Sequence, residues 1–319
     1  MNQEIISHKE PENIYARWWV SPNWGDALNP FLIQQLSGRQ PIWCDYPKYI
    51  KWINSFFSKW SLIENYQDLL NPAILNLLSL GDRIQKKVSS NSQKLFKLKP
   101  LEPMVTKEIY IVIGSILHQV DKNAVIWGAG FISEKSRLRE KPKQICAVRG
   151  PLTREIIINQ GLECPEIYGD PALLYPRFYT PSVKKKYKLG VVPHFADQNS
   201  HFLDQLINNE EVLIIDVTGG INKFVDDICS CEKIASSSLH GIIAADAYGI
   251  PSTWISFSDK VIGKGFKFRD YFASVGRKKN LPLIMTNKTS LQEINNSFEE
   301  FRVDIDIDKL LSVCPFLNT

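Results

Sequence analysis

The sequence predicts an α/β protein of two domains, each a parallel β-sheet with helices on both faces. Short apolar segments typical of strands alternate with helical segments along most of the chain, which is the pattern of parallel sheets. The chain has 319 residues, of which 44% are hydrophobic, and is long enough to bury two cores. Residues 176–188 contain prolines and three consecutive lysines. We interpret them as a linker between an N-terminal domain, residues 1–176, and a C-terminal domain, residues 188–319.

In the first half, the proposed helix at residues 151–160 has the clearest boundaries. Pro151 suits the first turn of a helix, and Gly161 suits its exit. A second helix is expected to begin near Gly25, and strands are expected at residues 15–20, 109–113, 125–127 and 145–148 and near Ile167.

In the second half, the same alternation restarts after the linker. Strands are expected at residues 189–192, 212–217, 233–235 and 253–255, with helices from about His201 and over residues 222–229 and 239–248. Two such domains facing one another would form a cleft, and folds of this kind bind ligands at the carboxyl ends of their strands.

Residues 45–100 interrupt this alternation and are predicted to be a helical insertion in the first domain. They carry nine Lys or Arg residues against four Asp or Glu residues. Between Tyr46 and Trp60, lysines stand among aromatic residues, as in segments that lie on an anionic membrane surface. Residues 46–99 could therefore attach the protein to the inner face of the cytoplasmic membrane. The alternative is a helical hairpin that packs its aromatic side chains on the first domain.

Composition excludes several other functions. The net charge of +4 is mild and no nucleic-acid-binding motif is present, so nucleic acid is not an expected partner. The six cysteines are scattered and read as reduced thiols. No His or Cys spacing suggests a metal site, so we expect neither metal nor cofactor. The amino terminus lacks the features of a signal peptide and no apolar run is long enough to span a membrane, which indicates a cytoplasmic protein.

Polar clusters follow the predicted strands of the first half. The first runs from Asn23 to Asp26, where Asp26 is either a base for an attacking hydroxyl or a first-turn carboxylate favoured by the helix dipole. The second is Gly114 and Ser115, whose backbone a ligand could approach closely or which only form a tight turn.

Arg149 ends a predicted strand just before a helix, where its planar fork and the helix amides could together bind a carboxylate or phosphate. The alternative is a surface arginine paired with a nearby acid. Asp170 follows the strand near Ile167 and is either a turn carboxylate or a catalytic one.

The sharpest cluster lies in the second half, where Ser236, Ser237 and Ser238 precede His240 at the start of a helix. Serines cap helices well, so capping alone would explain them. Three hydroxyls, free helix amides and an imidazole would also form a phosphate cradle. The helix dipole disfavours a charged His240, and a bound dianion would restore its proton. His240 could thus act as an acid only when substrate is present.

The last cluster is Lys264, Lys267 and Arg269, in a segment whose glycines suggest a mobile loop or a solvated run of charges. The two lysines are candidate cations for a charged ligand. His194, after the strand at residues 189–192, joins Asn23 and Asp170 as a candidate for the acceptor side of the cleft.

Taken in order, these motifs resemble the polysaccharide pyruvyltransferase family, in particular its succinoglycan-type ketal-forming members. The resemblance runs from about residue 20 to 275. The motifs that carry it are Asn23-Trp24-Gly25-Asp26, Gly114-Ser115, Trp127-Gly128-Ala129-Gly130, Val148-Arg149-Gly150-Pro151, Tyr168-Gly169-Asp170-Pro171, Ser237-Ser238-Leu239-His240-Gly241 and Lys267-Phe268-Arg269-Asp270-Tyr271.

The resemblance implies two Rossmann-like domains in a glycosyltransferase-B-like arrangement. It implies phosphoenolpyruvate as donor and a sugar acceptor of a surface or exopolysaccharide glycan, often lipid-linked. By position, Arg149 looks like the donor-binding arginine of the family and His240 like its catalytic histidine, and Asp26 is our candidate base. Some members carry arginine where this chain has Ser238, so Lys264, Lys267 or Arg269 is expected to meet the donor charge here.

Two alternatives remain open from the sequence. One is a glycosyltransferase of the same shape that uses a nucleotide sugar, because a fold does not fix a function. The other is a glycan-binding relative without catalytic activity.

Overall fold

The computed structural model describes residues 13–44 and 107–317. In this part of the chain the protein is α/β and contains two parallel sheets of five strands each. Apolar strands such as Ala124–Trp127, buried on both faces, are typical of parallel sheets covered by helices. The predicted insertion at residues 45–100 lies outside the described residues.

The first sheet has the order β2-β1-β3-β4-β5. A long helix, α1 (Trp24–Ser37), connects its first two strands, and α2 (Pro151–Ile158) follows its last. α1 begins at the cap residue Asn23 and ends at Gly38, whose left-handed backbone stops the helix. The strands are β1 (Ile14–Ala16), β2 (Pro41–Trp43), β3 (Ile109–Ile111), β4 (Ala124–Trp127) and β5 (Gln144–Ala147).

The second sheet has the order β10-β9-β8-β6-β7 and thus repeats the topology of the first. Its strands are β6 (Tyr187–Val192), β7 (Val212–Ile214), β8 (Cys231–Ser236), β9 (Ser252–Ser256) and β10 (Leu283–Ile284). Its helices are α3 (Asp204–Ile207), α4 (Ile221–Cys229), α5 (Leu239–Ala247), α6 (Phe266–Ser274), α7 (Leu291–Asn296) and α8 (Ile307–Ser312).

Both sheets therefore follow the doubly wound order 2-1-3-4-5, which is consistent with the two predicted Rossmann-like domains. In such sheets the strand order reverses beside the first strand, and ligands bind outside the carboxyl ends of the strands at that point. The reversal lies between β1 and β3 in the first sheet and between β6 and β8 in the second. The segments that follow these four strands carry Asn23 and Asp26, Gly114 and Ser115, His194, and the serines before His240.

One large hydrophobic cluster contains residues of both halves. Trp24, at the start of α1, packs on Phe224 of α4 with ring centroids 5.6 Å apart, and its indole nitrogen donates to the Ile221 carbonyl at 3.2 Å. The Trp127 indole nitrogen donates at 2.9 Å to the carbonyl of Leu310, which lies near the end of the chain, so α8 packs on the first sheet. The domain limits at residues 1–176 and 188–319 stay a prediction, and the final helix crosses between the halves.

Two local predictions were wrong. The strand expected near Ile167 is reduced to a single bridge between Val148 and Tyr168. Residues after it form a 3-10 helix, Pro171–Arg177, because Asp170 accepts a hydrogen bond from the Ala172 amide and Pro171 suits the first turn. The loop expected around Lys264 to Asp270 is mostly the helix α6, which begins after Gly265 and buries Phe266 and Phe268. These aromatic side chains form the apolar face of the helix, which the charged residues between them made hard to recognise in the sequence.

Candidate active site

The site is built around the contact between the first turns of α1 and α5. Asn23 caps α1: its Oδ1 accepts from the Gly25 amide at 3.3 Å and lies 2.8 Å from Nδ1 of His240. A Cβ atom at Gly25 would lie 2.2 Å from both Cδ2 and Nε2 of His240, so the imidazole rests directly on the glycine. The predicted candidates Asn23 and His240, 217 residues apart in the chain, therefore lie in one place.

Trp24 holds these two turns together. It is 1% exposed, its amide donates to the Val217 carbonyl at 2.9 Å, and its ring stands edge-on to Tyr175 with centroids 5.8 Å apart. Because the indole anchors α1 in the second half of the chain, the neighbouring Asn23 and Gly25 reach His240.

Asp26, the candidate base, lies in the first turn of α1 and accepts a hydrogen bond from the Ser21 hydroxyl at 2.6 Å. Burial raises the pKa of the Asp26 carboxyl to about 7; the Ser21 hydrogen bond and the charge of Lys267 oppose this rise, and Asp170 adds to it. A carboxyl poised near neutral pH suits the exchange of a proton with a substrate hydroxyl.

Lys267, on α6, is the cation of this cluster. Burial and the charge of Arg149 lower its pKa to about 8, and Asp26 opposes that shift. The lysine in turn lowers the pKa of both His194 and His240. Lys264 lies elsewhere: it is exposed, with a left-handed backbone at φ 48°, and its carbonyl accepts from Arg269. Of the two candidate lysines, the structure brings only Lys267 to the site.

Arg149 is engaged within the protein, contrary to the expected open fork. Its side chain is 1% exposed, and its Nε donates to Oδ2 of Asp270 at 3.0 Å. Its two terminal nitrogens donate to the Ser115 hydroxyl and to the Phe131 carbonyl, each at 2.6 Å. A bidentate grip on a ligand would require these bonds to break. The guanidinium charge still acts on the site, because it lowers the pKa of Lys267 and His240.

Asp270 completes this link between the halves of the chain. It is fully buried, and its two oxygens accept from the Thr153 amide at 2.8 Å and the Thr153 hydroxyl at 2.7 Å. Asp270 thus caps α2 from a distant part of the chain, in addition to pairing with Arg149. Gly150 is required beside it, because a Cβ there would lie 1.9 Å from the Asp270 carbonyl oxygen.

The serine cluster before α5 is largely used to build the site. Ser236 donates to the Val192 carbonyl at 3.1 Å, and the Ser237 hydroxyl accepts from the His194 amide at 2.8 Å. Ser238 occupies the cap position of α5, but its side chain makes no capping bond. At the start of α5 the Leu239 and His240 amides have no intrahelical acceptor and remain suited to an anion, whereas the Gly241 amide donates to the Ser238 carbonyl at 3.1 Å.

Both histidines of the cluster are held neutral. Burial, followed by Lys267, Arg149 and His194, lowers the pKa of His240 to about 3. Burial and then Lys267 lower the pKa of His194 to about 3 as well. A bound anion would offset the surrounding positive charge, so His240 can gain a proton when a charged ligand enters.

Asp170 and Gly114 lie at the edge of this cluster. Burial raises the pKa of Asp170 to about 6, and the Ala172 amide and Arg149 oppose that rise. Gly114 has φ +125°, and a Cβ there would lie 4.0 Å from Oδ1 of Asp26. Asp170 is therefore both the cap of a 3-10 helix and a second carboxyl near the candidate base.

Sequence reasoning missed several supporting residues. Asn29 is 1% exposed and binds both the carbonyl and the amide of Ile113, which ties α1 to the loop that carries Gly114. Ser21 and Thr153, the partners of Asp26 and Asp270, were also missed. The one signal that the sequence offered was Asn29 itself, a polar residue among the apolar positions of the predicted helix that begins near Gly25. The other contacts join residues too far apart in the chain for spacing to reveal them.

Within residues 13–44 and 107–317, no group of three His, Cys, Asp or Glu side chains is placed to hold a metal ion. In the same ranges no helix is long and apolar enough to cross a membrane. The expectation of metal-independent chemistry stays a prediction.

Comparison with known proteins identifies the family. A family described as polysaccharide pyruvyl transferase matches residues 39–259, a span that includes Arg149, His194 and His240. The chain is 33% identical over 211 residues to the uncharacterized protein L143 of Acanthamoeba polyphaga mimivirus, covering 62% of this chain and 71% of that protein. It is 26% identical over 201 residues to the succinoglycan biosynthesis protein ExoV of Rhizobium meliloti, covering 59% of this chain and 61% of that protein.

No solved structure matches the chain. The family match covers more than half of the sequence, and the motifs around Arg149 and His240 fall inside it. The chain belongs to the polysaccharide pyruvyl transferase family.

Proposed function

We propose that this protein transfers the enolpyruvyl group of phosphoenolpyruvate to a sugar of a bacterial surface or exopolysaccharide glycan, where it becomes a pyruvate ketal. One observation carries the proposal: an acid (His240), a base (Asp26) and a cation (Lys267) lie within electrostatic reach of one another. The charge of Lys267 acts on the pKa of both Asp26 and His240, and Asp26 acts on the pKa of Lys267. Family membership supports pyruvyl transfer to a polysaccharide. A relative named for succinoglycan biosynthesis supports an exopolysaccharide product.

The two halves would act as the domains of a glycosyltransferase-B-like enzyme, with the substrates between them. The points where strand order reverses in the two sheets support this arrangement, because the candidate residues follow the strands at both points. The first half supplies Asp26 and Ser115, and the second supplies His240 and Lys267.

The donor carries a carboxylate and a phosphate, and the site offers several groups for them. Lys267 provides a point charge that acts on His240, and the first amides of α5, the helix that carries His240, provide donors. Ser115 accepts a bond from Arg149, which leaves its own hydroxyl hydrogen to donate. Arg149 would contribute through its positive charge and by orienting Ser115, while its fork stays on Asp270.

The chemistry follows from these positions. His240 gives a proton from Nε2 to the methylene carbon of the donor, which becomes a methyl group, and the adjacent carbon takes on oxocarbenium character. A sugar hydroxyl adds to that carbon, and Asp26 takes the proton of the hydroxyl. Phosphate then leaves, and a second hydroxyl closes the ketal, its proton departing with the phosphate. Two hydroxyls and one enol phosphate thus give one ketal and one inorganic phosphate.

The depressed pKa of His240 fits this scheme. Without a ligand, burial first and then the neighbours Lys267, Arg149 and His194 disfavour the imidazolium. A donor with two anionic groups offsets those charges, so protonation of His240 is coupled to donor binding. The enzyme would then hold its acid ready only in the presence of donor.

The acceptor would be a glycan, often lipid-linked in this family, and this suggests work at a membrane surface. The basic and aromatic residues 46–99 would attach the protein to anionic lipid at the inner face of the membrane. Co-sedimentation with vesicles tests this: binding should require anionic lipid, weaken with salt, and fall when Lys51, Lys59 and Trp60 are replaced together. Equal recovery in the supernatant with anionic and neutral vesicles at low salt would refute attachment.

The activity itself is tested with purified protein, phosphoenolpyruvate and a panel of glycans, including succinoglycan oligosaccharides stripped of pyruvate. We expect phosphate release together with the mass increment of one ketal-linked pyruvate. Release of nucleotide from a sugar nucleotide under the same conditions would instead indicate a glycosyltransferase.

A further inference from the structure

The contact between Asn23 and His240 fixes more than the position of the imidazole ring. The Asn23 Oδ1 atom lies within hydrogen-bond distance of two groups, the Gly25 amide at 3.3 Å and His240 Nδ1 at 2.8 Å. A backbone amide can only donate, so the Asn23 atom facing it must be the carbonyl oxygen rather than the amide nitrogen. An oxygen in that position can bind Nδ1 of His240 only if Nδ1 carries the hydrogen.

We propose that Asn23 is a positioning residue, which keeps the proton of neutral His240 on Nδ1 and leaves Nε2 as the nitrogen that exchanges a proton with the donor. The general rule is that the hydrogen bond made by one ring nitrogen decides the protonation of the other. In serine proteases a buried carboxylate fixes the histidine tautomer in this way, and its loss leaves the wrong nitrogen protonated. Here a neutral amide would take that part.

Gly25 supplies the second constraint on the ring. The three atoms nearest to a methyl group placed at Gly25 would be Cδ2, Nε2 and Cε1 of His240, at 2.2, 2.2 and 2.3 Å, so a face of the imidazole rests on the glycine. Asn23 thus sets the rotation of the ring in its plane, and Gly25 sets the plane. Together they leave His240 one orientation, and Nδ1 is occupied in it.

The choice of an amide over a carboxylate at position 23 has a consequence for the charge of His240. The charged groups that act on the ring, Lys267 of α6 and Arg149 after β5, together with His194 after β6, all disfavour the imidazolium. A carboxylate at position 23 would favour it and would raise the pKa of the ring whether or not the donor is bound. Asn23 fixes the tautomer without adding that charge, so control of protonation stays with the ligand.

Capping of α1 is the alternative role for Asn23, and two substitutions separate the roles. Asn23→Ser keeps a good cap residue but removes the carbonyl that faces Nδ1. Asn23→Asp keeps both the cap and an acceptor at the same place, and adds a charge. If Asn23 serves only as a cap, Asn23→Ser should leave the tautomer of His240 unchanged.

The test is ¹⁵N spectroscopy of the full chain labelled at histidine, without ligand and at neutral pH. The signals of His240 are assigned by their loss in His240→Gln. We expect Nδ1 of wild type to be protonated and Nε2 to be unprotonated, the same pattern in Asn23→Asp with a titration moved to higher pH, and a mixture of tautomers in Asn23→Ser. Circular dichroism and the melting temperature of Asn23→Ser should stay close to wild type.

The role of Asn23 in catalysis rests on the proposed function, and its measurement is separate. Turnover of phosphoenolpyruvate should fall about 100-fold in Asn23→Ser, at the lower end of the effect of general acid catalysis, with little change in the apparent KM for the donor. A wild-type ring protonated on Nε2, or an Asn23→Ser variant with the wild-type tautomer, would overturn the inference. The expected tautomer in a protein that never turns over phosphoenolpyruvate would support the inference and count against the proposed function.

Discussion

Removal of the Asp270 carboxylate should destabilise the protein strongly, although Asp270 is neither the candidate base, Asp26, nor the candidate acid, His240. Asp270→Ala deprives Arg149 of its acceptor at 3.0 Å and Thr153 of two, at 2.8 and 2.7 Å, and leaves a guanidinium that is 1% exposed without its counter-charge. Breaking one partner of a buried ion pair costs about 3–5 kcal/mol. The same carboxylate also caps α2, so we include the loss of that cap in this range instead of adding it as a separate cost.

Urea denaturation followed by circular dichroism measures this effect. The matched control is Asp308→Ala, which removes an aspartate paired with Arg177 at the surface, where the partners are 81% and 42% exposed. Such pairs contribute about 0–1 kcal/mol. Equal stability losses in Asp270→Ala and Asp308→Ala would refute the bracing role of the buried pair.

Arg149→Lys belongs to the same experiment, and the structure changes the outcome that we expect from it. The sequence alone suggests that lysine would weaken donor binding and leave the fold intact. The structure shows three acceptors around the guanidinium fork, on Asp270, Ser115 and Phe131. A single ammonium cannot reach all three, and each buried group left without a partner costs about 1–3 kcal/mol. We therefore expect lower stability in Arg149→Lys, and unchanged stability would restore the simpler donor-clamp role.

Four further predictions concern the site. His240→Gln should lower turnover by about 10²–10⁴-fold with a much smaller change in the apparent KM for phosphoenolpyruvate, and near-normal turnover would leave His240 only a structural role. Since burial depresses the pKa of His240 to about 3, this histidine contributes less to the free energy of unfolding as pH falls below 6.5, its ordinary value, so the stability of wild type in urea should decline relative to that of His240→Gln over this range. Gly25→Ala should displace the imidazole and abolish most turnover, although alanine favours helices by about 1 kcal/mol over glycine; a crystal structure with the ring unmoved would contradict this. The ratio of the kcat/KM for phosphoenolpyruvate of wild type to that of Asp26→Asn should rise through about pH 7, as Asp26 loses its proton, because His240 and Lys267 titrate in both proteins; a constant ratio would contradict the role of Asp26 as base.

The regular elements of the fold could be predicted from local pattern. The strands at β3 and β8 and the helices α1, α2 and α5 lie within a few residues of their expected positions, because buried strands and capped helices carry strong signals in a short window. The helix α6 could not be predicted, since Lys267, Arg269 and Asp270 hide an apolar face that depends on contact with the first half of the chain. The strand order could not be predicted either, because pairing between strands distant in sequence leaves no local mark.

The sequence could predict which residues form the site but not which contacts they make. Strand ends identified Asn23, Asp26, Arg149 and His240, and the structure brings these residues to one region. Arg149 looked like a ligand clamp because nothing in the sequence indicated that Asp270, 121 residues away, would occupy its fork. Motif position reveals which residues matter, and only the folded chain reveals whether a residue faces the ligand or supports one that does.

The most direct test of the proposed activity is a paired measurement on one reaction mixture. The full chain is incubated with phosphoenolpyruvate and pyruvate-free succinoglycan oligosaccharide, and released phosphate and ketal-linked pyruvate are quantified over time, with His240→Gln as control. We predict equal amounts of the two products from wild type and at least about 100-fold slower formation of both in the variant. Phosphate release without a ketal on the glycan, or equal rates in both proteins, would contradict pyruvyl transfer through His240.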